Sequence, residues 1–218
     1  MKKRRRSKFK TFFVLFIIFC ALAMFQNHFQ KQSSPHIVEN DPFTDVKKYT
    51  PIIHDELAKY QLESHTDTLI ALMQQESRGK GGDPMQASES AGLAPNTIND
   101  PKQSIQAGVK HFQSVLTYGN QKKVDFPTII QAYNMGRGYV DYVAQHGGKH
   151  SEALAKEFSL LRVKEKPNIY TCGGDKTNFR YPYCYGDFTY STKVAKNMQL
   201  LVDSIPVNSS EKTPGEAY

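Results

Sequence analysis

Apolar residues recur along most of this chain at the three- and four-residue spacing of one helix face. Thr50 and Pro51 open the first such run as cap and first helical position, followed by Ile52, Ile53, Leu57 and Tyr60. A second run starts at Thr66, carries Leu69, Ile70, Leu72 and Met73, and ends near Ser77. Asp100-Pro101-Lys102-Gln103 has the form of a capping box and predicts a helix with Ile105, Val109, Phe112 and Leu116 on one side. Shorter helices are expected over Pro127 to Tyr133, Tyr139 to Gln145, and Glu152 to Arg162, the last with Leu154, Phe158 and Leu161 on its apolar side. A final helix runs from Tyr190 to Ser204 on Val194, Met198, Leu201 and Val202. The stretch from Lys164 to Asp187, rich in Tyr, Gly and Pro, reads as a loop holding at most one short strand or hairpin, from Phe179 to Tyr185. The expected class is all-α, with one domain from residue 49 to 205.

Outside that domain the pattern changes. Residues 1–10 hold seven basic side chains and no acid, and Thr11 to Phe25 is almost wholly apolar. This is the layout of a signal peptide or signal anchor over residues 1–25. The apolar run is shorter than the roughly 20 residues that comfortably span a bilayer. A retained N-terminal membrane helix is the expectation, with cleavage after Ala21-Leu22-Ala23 as the alternative, and either outcome places the domain outside the cytoplasm. Residues 26–48 are polar, with Pro35 and Pro42, and read as a linker; residues 206–218 read as a frayed tail.

The net charge of +7 on 218 residues belongs to the leader, because the other residues carry 21 basic and 21 acidic side chains. A nucleic-acid partner finds no overall excess of positive charge to bind. Cys172 and Cys184 are the two cysteines of the exported part, and a single disulfide between them is expected in an oxidising compartment, against the alternative of two free thiols. The seven histidines show no metal-ligand spacing and are expected on the surface; neither metal nor cofactor is expected.

Glu76 carries the chemistry. It follows Leu69 by seven residues, Leu72 by four and Met73 by three, so it falls on the buried face of its helix. Burial disfavours a carboxylate and raises its pKa, which suits a general acid; the alternative is that, near the helix end, it turns to solvent or pairs with Arg78. Gly79, Gly81 and Gly82 then allow a tight path into Asp83-Pro84-Met85-Gln86. Downstream, Ala132-Tyr133-Asn134-Met135-Gly136 ends a helix, and on its own is most simply a C-cap.

Taken in order, Glu76-Ser77, Met85-Gln86, Ala132 to Gly136, and Tyr190 with Lys193-Val194 resemble the motifs of soluble lytic transglycosylase and goose-type lysozyme domains. The run from Gln75 to Glu89 is most similar to the bacterial lysozyme group that forms the muramidase part of Gram-positive cell-wall hydrolases. It departs at Asp83-Pro84-Met85-Gln86, where transglycosylases commonly have Gly-Leu-Met-Gln, and this puts the local cleft shape in question. The resemblance implies a lysozyme-like fold and cleavage of peptidoglycan at the β-1,4 bond between N-acetylmuramic acid and N-acetylglucosamine, with Glu76 as acid. It also implies that Ser77 and Gln86 line the cleft, that Tyr133 and Asn134 hold the acid or the sugar, and that Tyr190 approaches Glu76. Asp83 and Glu89 are the nearest candidates for a second carboxylate, which a hydrolase needs and a transglycosylase does not. A protein of the same fold that only docks on the wall is the non-enzymatic alternative.

Overall fold

The computed structural model describes residues 41–204, and the leader, most of the linker and the tail lie outside them. Eight α-helices are present in this part: α1 Thr44–Lys47, α2 Thr50–Ala58, α3 Thr66–Glu76, α4 Pro101–Lys122, α5 Phe126–Met135, α6 Arg137–Gln145, α7 Glu152–Glu165 and α8 Tyr190–Asp203. Two 3₁₀ turns, Glu63–His65 and Cys172–Gly174, complete the described elements. The class among the described residues is all-α. None of these helices is long and apolar enough to cross a membrane. The expected anchor lies outside the described residues.

The caps explain most boundaries. Asp100 accepts from the backbone N–H of Lys102 at 3.0 Å, Asp125 from that of Thr128, and Ser151 from that of Leu154. Gln103 does not complete the expected box; the cap of α4 is Asp100 alone. At α2 the cap position falls on Tyr49 rather than Thr50, without a side-chain bond, one residue from expectation.

α3 packs chiefly on α8 and on α2, while α4 and α5 pack on each other and on α6. Leu69, Leu72 and Met73 of α3, Ile105, Val109 and Phe112 of α4, and Val194 of α8 are fully buried. Each such side chain contributes about 1.5–3 kcal/mol by leaving water. Some expected apolar positions face outward instead: Ile52, Tyr60, Leu161 and Val202 are exposed. On α7 the buried face is Ala155, Phe158 and Ser159, turned away from Leu161.

Two differences from the sequence reading have clear causes. Residues 41 to 48, expected as the end of a linker, belong to the folded unit, because Phe43 and Val46 are buried in the core. Gly79 makes this docking possible: a Cβ there would lie 2.6 Å from the Asp45 carbonyl oxygen. Phe179 to Tyr185 forms neither strand nor hairpin. Its backbone bonds are local turns, Tyr181 N–H to Asn178 and Tyr183 N–H to Arg180, and Pro182 cannot donate to a ladder.

Cys172 and Cys184 are joined by a disulfide across a sequence separation of 12. Closing a loop of that length is worth about 3 kcal/mol in the chain-entropy account. Replacing both cysteines by serine is expected to lower unfolding free energy by about that amount. Denaturant titration with and without reductant checks it: reductant should destabilise the native protein and leave the double variant unchanged.

Candidate active site

Glu76 is the last residue of α3, half-buried, with its carboxyl facing a cleft of about 710 Å³. Its pKa is raised from 4.5 to about 7, chiefly by loss of water. The Tyr190 hydroxyl donates to Oε1 at 2.5 Å and acts in the opposite direction, while the negative charge of Asp83 raises the pKa further. The negative end of the α3 dipole adds to the cost of ionisation. The result is a carboxyl that holds its proton to near neutral pH, held at one oxygen by a tyrosine from the last helix.

The loop after α3 is fixed from beneath. Ser77 Oγ donates to the Pro84 carbonyl at 2.7 Å and accepts from the Gly79 N–H, so it ties helix to loop and does not line the cleft. Asp83 is buried, and both its oxygens are engaged. Oδ1 accepts from the Ala87 N–H and the Ser104 hydroxyl; Oδ2 accepts from the N–H and hydroxyl of Ser88. These four donors account for the lowered pKa that desolvation alone would raise. Asp83 is therefore a cage for the loop, outside the cleft lining. Met85 is fully buried against Gly108 of α4, where a Cβ would come within 2.7 Å of the Met85 side chain. Gln86 then emerges with a φ of 47°, anchored by its Nε2 on the Asp83 carbonyl, and lines the cleft with Glu89.

The end of α5 forms the floor. The Tyr133 hydroxyl donates to the Met85 carbonyl at 3.3 Å, and its ring lies parallel to that of Tyr190 with centroids 6.4 Å apart. Asn134 accepts the Asp187 N–H at Oδ1, which leaves its NH₂ as the group it offers to a ligand. Gly136, with a φ of 73°, ends the helix and also lines the cleft.

Of the sequence-derived site residues, the structure brings Glu76, Gln86, Glu89, Tyr133 and Asn134 to one cleft, with Tyr190 behind Glu76, and leaves Ser77 and Asp83 beneath the loop. Four further side chains line it that the sequence patterns do not single out: Ser90, His111, Tyr170 and Tyr185. His111 of α4 faces the cleft, with its ring edge on Tyr133 at 4.7 Å and Nε2 on the Tyr133 carbonyl at 2.9 Å. Burial lowers its pKa and so favours the neutral ring. It is no surface group, and neither is His150, whose Nδ1 meets the Tyr139 hydroxyl. Tyr170 and Tyr185 form the opposite wall, edge to face at 4.8 Å, with the Tyr185 hydroxyl on the Met135 carbonyl. The concentration of tyrosines between residues 170 and 185 was the available signal. No group of three or more His, Cys, Asp or Glu is placed to hold a metal among the described residues.

Removing the Tyr190 hydroxyl has a predictable effect. In Tyr190→Phe the carboxyl loses its orienting donor, so kcat should fall by up to about a hundredfold. Because that bond favours the ionised form, the pKa of Glu76 should rise, moving the alkaline limb of the pH–rate profile upward. A profile that drops in height without moving would contradict this account.

The family model for lysozyme-like domains matches residues 43–198. The chain is 42% identical over the full length of both proteins to the uncharacterized membrane protein YocA of Bacillus subtilis. It is 33% identical to pneumococcal vaccine antigen A of Streptococcus pneumoniae, over 72% of this chain and 82% of that protein. The bifunctional muramidase/DL-endopeptidase CwlT of Bacillus subtilis is 39% identical over 55% of this chain, which covers 35% of CwlT. A crystal structure from Staphylococcus aureus, described as similar to a lipoprotein of the NLP/P60 family, superimposes with a TM-score of 0.61 at 34% identity, over 71% of this chain and 52% of that one.

Proposed function

The chain belongs to the lysozyme-like family, and from that premise we propose that it cleaves peptidoglycan glycan strands at the β-1,4 bond between N-acetylmuramic acid and N-acetylglucosamine, as a muramidase with Glu76 as general acid. The observation that carries this reading is the Glu76 carboxyl itself: desolvated, raised to about 7, and open to a cleft large enough for a saccharide. Such a group protonates the leaving glycosidic oxygen at neutral pH. The muramidase relative CwlT supports the same chemistry. Activity should fall about tenfold per pH unit above 7 as Glu76 ionises.

Around the acid, roles follow from contacts. Tyr190 fixes the carboxyl, and the parallel Tyr133 ring holds Tyr190. Gln86 and the Asn134 NH₂ offer hydrogen bonds to acetamido and hydroxyl groups, and Tyr170 and Tyr185 offer ring faces and edges to the sugars. The domain works outside the cytoplasm, held at the membrane by its N-terminal segment; YocA, described as a membrane protein, supports that place of action.

A second reading turns on one observation. Asp83 is consumed by four donors, which leaves Glu89, exposed on the cleft rim, as the carboxylate to activate water. If Glu89 does not do so, the muramic acid's own hydroxyl attacks and the enzyme is a lytic transglycosylase, which needs one acid. Mass spectrometry of products from purified peptidoglycan, with wild type, Glu89→Gln and Glu76→Gln side by side, separates the possibilities. Reducing N-acetylmuramic ends that disappear in Glu89→Gln mark the hydrolase; 1,6-anhydro ends that persist in Glu89→Gln mark the transglycosylase. Absence of products from every protein would overturn enzymatic cleavage and leave a wall-docking role.

A further inference from the structure

The helix that brings Tyr190 to Glu76 is capped from outside itself. An α-helix begins with four backbone N–H groups that have no partner within it, and the side chain at the cap position usually takes one of them. At α8 that position is Thr189, whose side chain makes no such bond and whose hydroxyl donates to Asp187 instead. The N–H of Ser191, in the first turn of α8, goes to Gln131 Oε1 at 3.0 Å, although 60 positions separate the two residues. Gln131 Nε2 donates to the Asp187 carbonyl at 2.6 Å. A single amide from α5 thus grips the backbone on both sides of Tyr190.

Gln131 is fully buried, and both ends of its amide are engaged. Its oxygen can only accept and its nitrogen only donate, so one orientation alone serves an N–H on one side and a carbonyl on the other. Further contacts lay the chain entering α8 against α5. Asn134, one turn along α5, accepts the Asp187 N–H at 2.7 Å. Gly186, with a φ of 65°, comes so close that a Cβ there would lie 2.8 Å from Asn134 Oδ1. The Asp187 carboxylate accepts from the Thr189 N–H and pairs with Lys193. The Tyr133 ring, also from α5, lies parallel to that of Tyr190, which is buried. α5 therefore sets the backbone that carries Tyr190 as well as the ring beside which it rests.

We propose that Gln131 is a positioning residue for the acid: by holding the start of α8 against α5, it fixes the point at which the Tyr190 hydroxyl meets the Glu76 carboxyl. It does not line the cleft and acts through Tyr190. This rests on the reading of Glu76 as general acid and adds what keeps that acid's donor in place. Without the grip the first turn of α8 is uncapped and free to fray. A misplacement of about 1 Å, even one that starts away from the chemistry, is enough to cost a catalytic contact.

The test compares the full-length wild type, Gln131→Met, Tyr190→Phe and the double variant. Methionine keeps nearly the same volume and offers the site no amide. On soluble peptidoglycan strands Gln131→Met should lower kcat by about tenfold or more with KM little changed. In the Tyr190→Phe background it should lower kcat no further, because both changes remove one contact. Residue-resolved 13C NMR titration of the Glu76 carboxyl reads the same contact without substrate. The Tyr190 bond favours the ionised form, so the pKa should rise in Gln131→Met, and adding that change to Tyr190→Phe should move it no further. The titratable groups around Glu76 are Tyr190 and the Asp187–Lys193 pair, Tyr133 of α5, His111 of α4, and Asp83 and Glu89 after α3. Gln131→Met alters none of them, so its shift reports the placement of the tyrosine. Gln131→Asn, one methylene shorter, replaces Gln131→Met should the latter fail to fold, with the same expectations. A kcat loss that repeats in full in the Tyr190→Phe background, or a Glu76 titration unmoved by Gln131→Met, overturns the positioning role and leaves Glu76 as the acid. If the wild type releases no products from peptidoglycan, the glycan-cleaving reading falls, and the NMR titration still decides whether Gln131 holds Tyr190 on Glu76.

Discussion

Glu76→Gln is expected to lose about a thousandfold or more in glycan-cleaving activity and to gain thermal stability at the same time. The gain comes from linkage. The folded pKa of about 7 stands above the ordinary 4.5, so the folded protein binds this proton more tightly than the unfolded chain does. Stability from the protonated carboxyl is complete below about 4.5 and is lost as pH rises through 7. At pH 8 the wild type carries the full cost of a desolvated carboxylate, roughly 2 to 3 kcal/mol, and the amide does not. Gln also retains an acceptor for the Tyr190 hydroxyl. Melting curves should therefore place the variant about 5 °C or more above wild type at pH 8 and level with it at pH 4. Equal melting points at both values would mean that Glu76 is solvated in the folded protein and does not serve as a general acid near neutral pH.

Asp83 should behave in the opposite way. Asp83→Ala strands two backbone N–H groups and the hydroxyls of Ser88 and Ser104, all buried. The expected cost is about 3 to 5 kcal/mol, with loss of activity following from the collapse of the loop that carries Gln86. Asp83→Asn keeps one acceptor oxygen and should lose less of both. If Asp83 were instead the water-activating carboxylate, Asp83→Asn would abolish activity at an unchanged melting point. The pH dependence differs in sign as well: the depressed pKa of Asp83 gives stability that is present above 3.8 and lost as pH falls through the folded value. Between them these two carboxyls favour the folded state most near pH 4, where Asp83 is ionised and Glu76 is not.

The contrast between the two acids marks what a sequence can convey. Glu76 was legible because its neighbours on α3 lie three, four and seven residues away, and helical geometry alone places it beside Met73 and Leu72. Asp83 was half legible: an aspartate before proline announces a turn, but the cage includes Ser104, 21 residues further on, which no local pattern connects to it. Ser77 was expected in the cleft and instead bonds to Pro84, a matter of one rotation at a helix end. His111 stands beside Phe112 on the border between the buried and open faces of α4, and only the packing of α5 turns that border into a cleft wall. α1 was hidden because two apolar residues, Phe43 and Val46, sit among charged ones, and their burial depends on contact with a distant glycine. α4 was readable for the reverse reason, since Asp100 caps it two residues away and its apolar residues recur along one face.

The bond between Tyr190 and Glu76 joins residues 114 positions apart. α8, which supplies that tyrosine, is also the main partner of α3 in packing. A polypeptide made from its N-terminus therefore completes the acid's surroundings only when the helix that carries Tyr190 has been synthesised and docked. Until then Glu76 lacks both the tyrosine that fixes its carboxyl and the helix that packs most heavily on α3, so a nascent or C-terminally clipped molecule carries the acid unoriented. Timing is thus written into chain order: the helix that fixes the cutting group is made 114 residues after it.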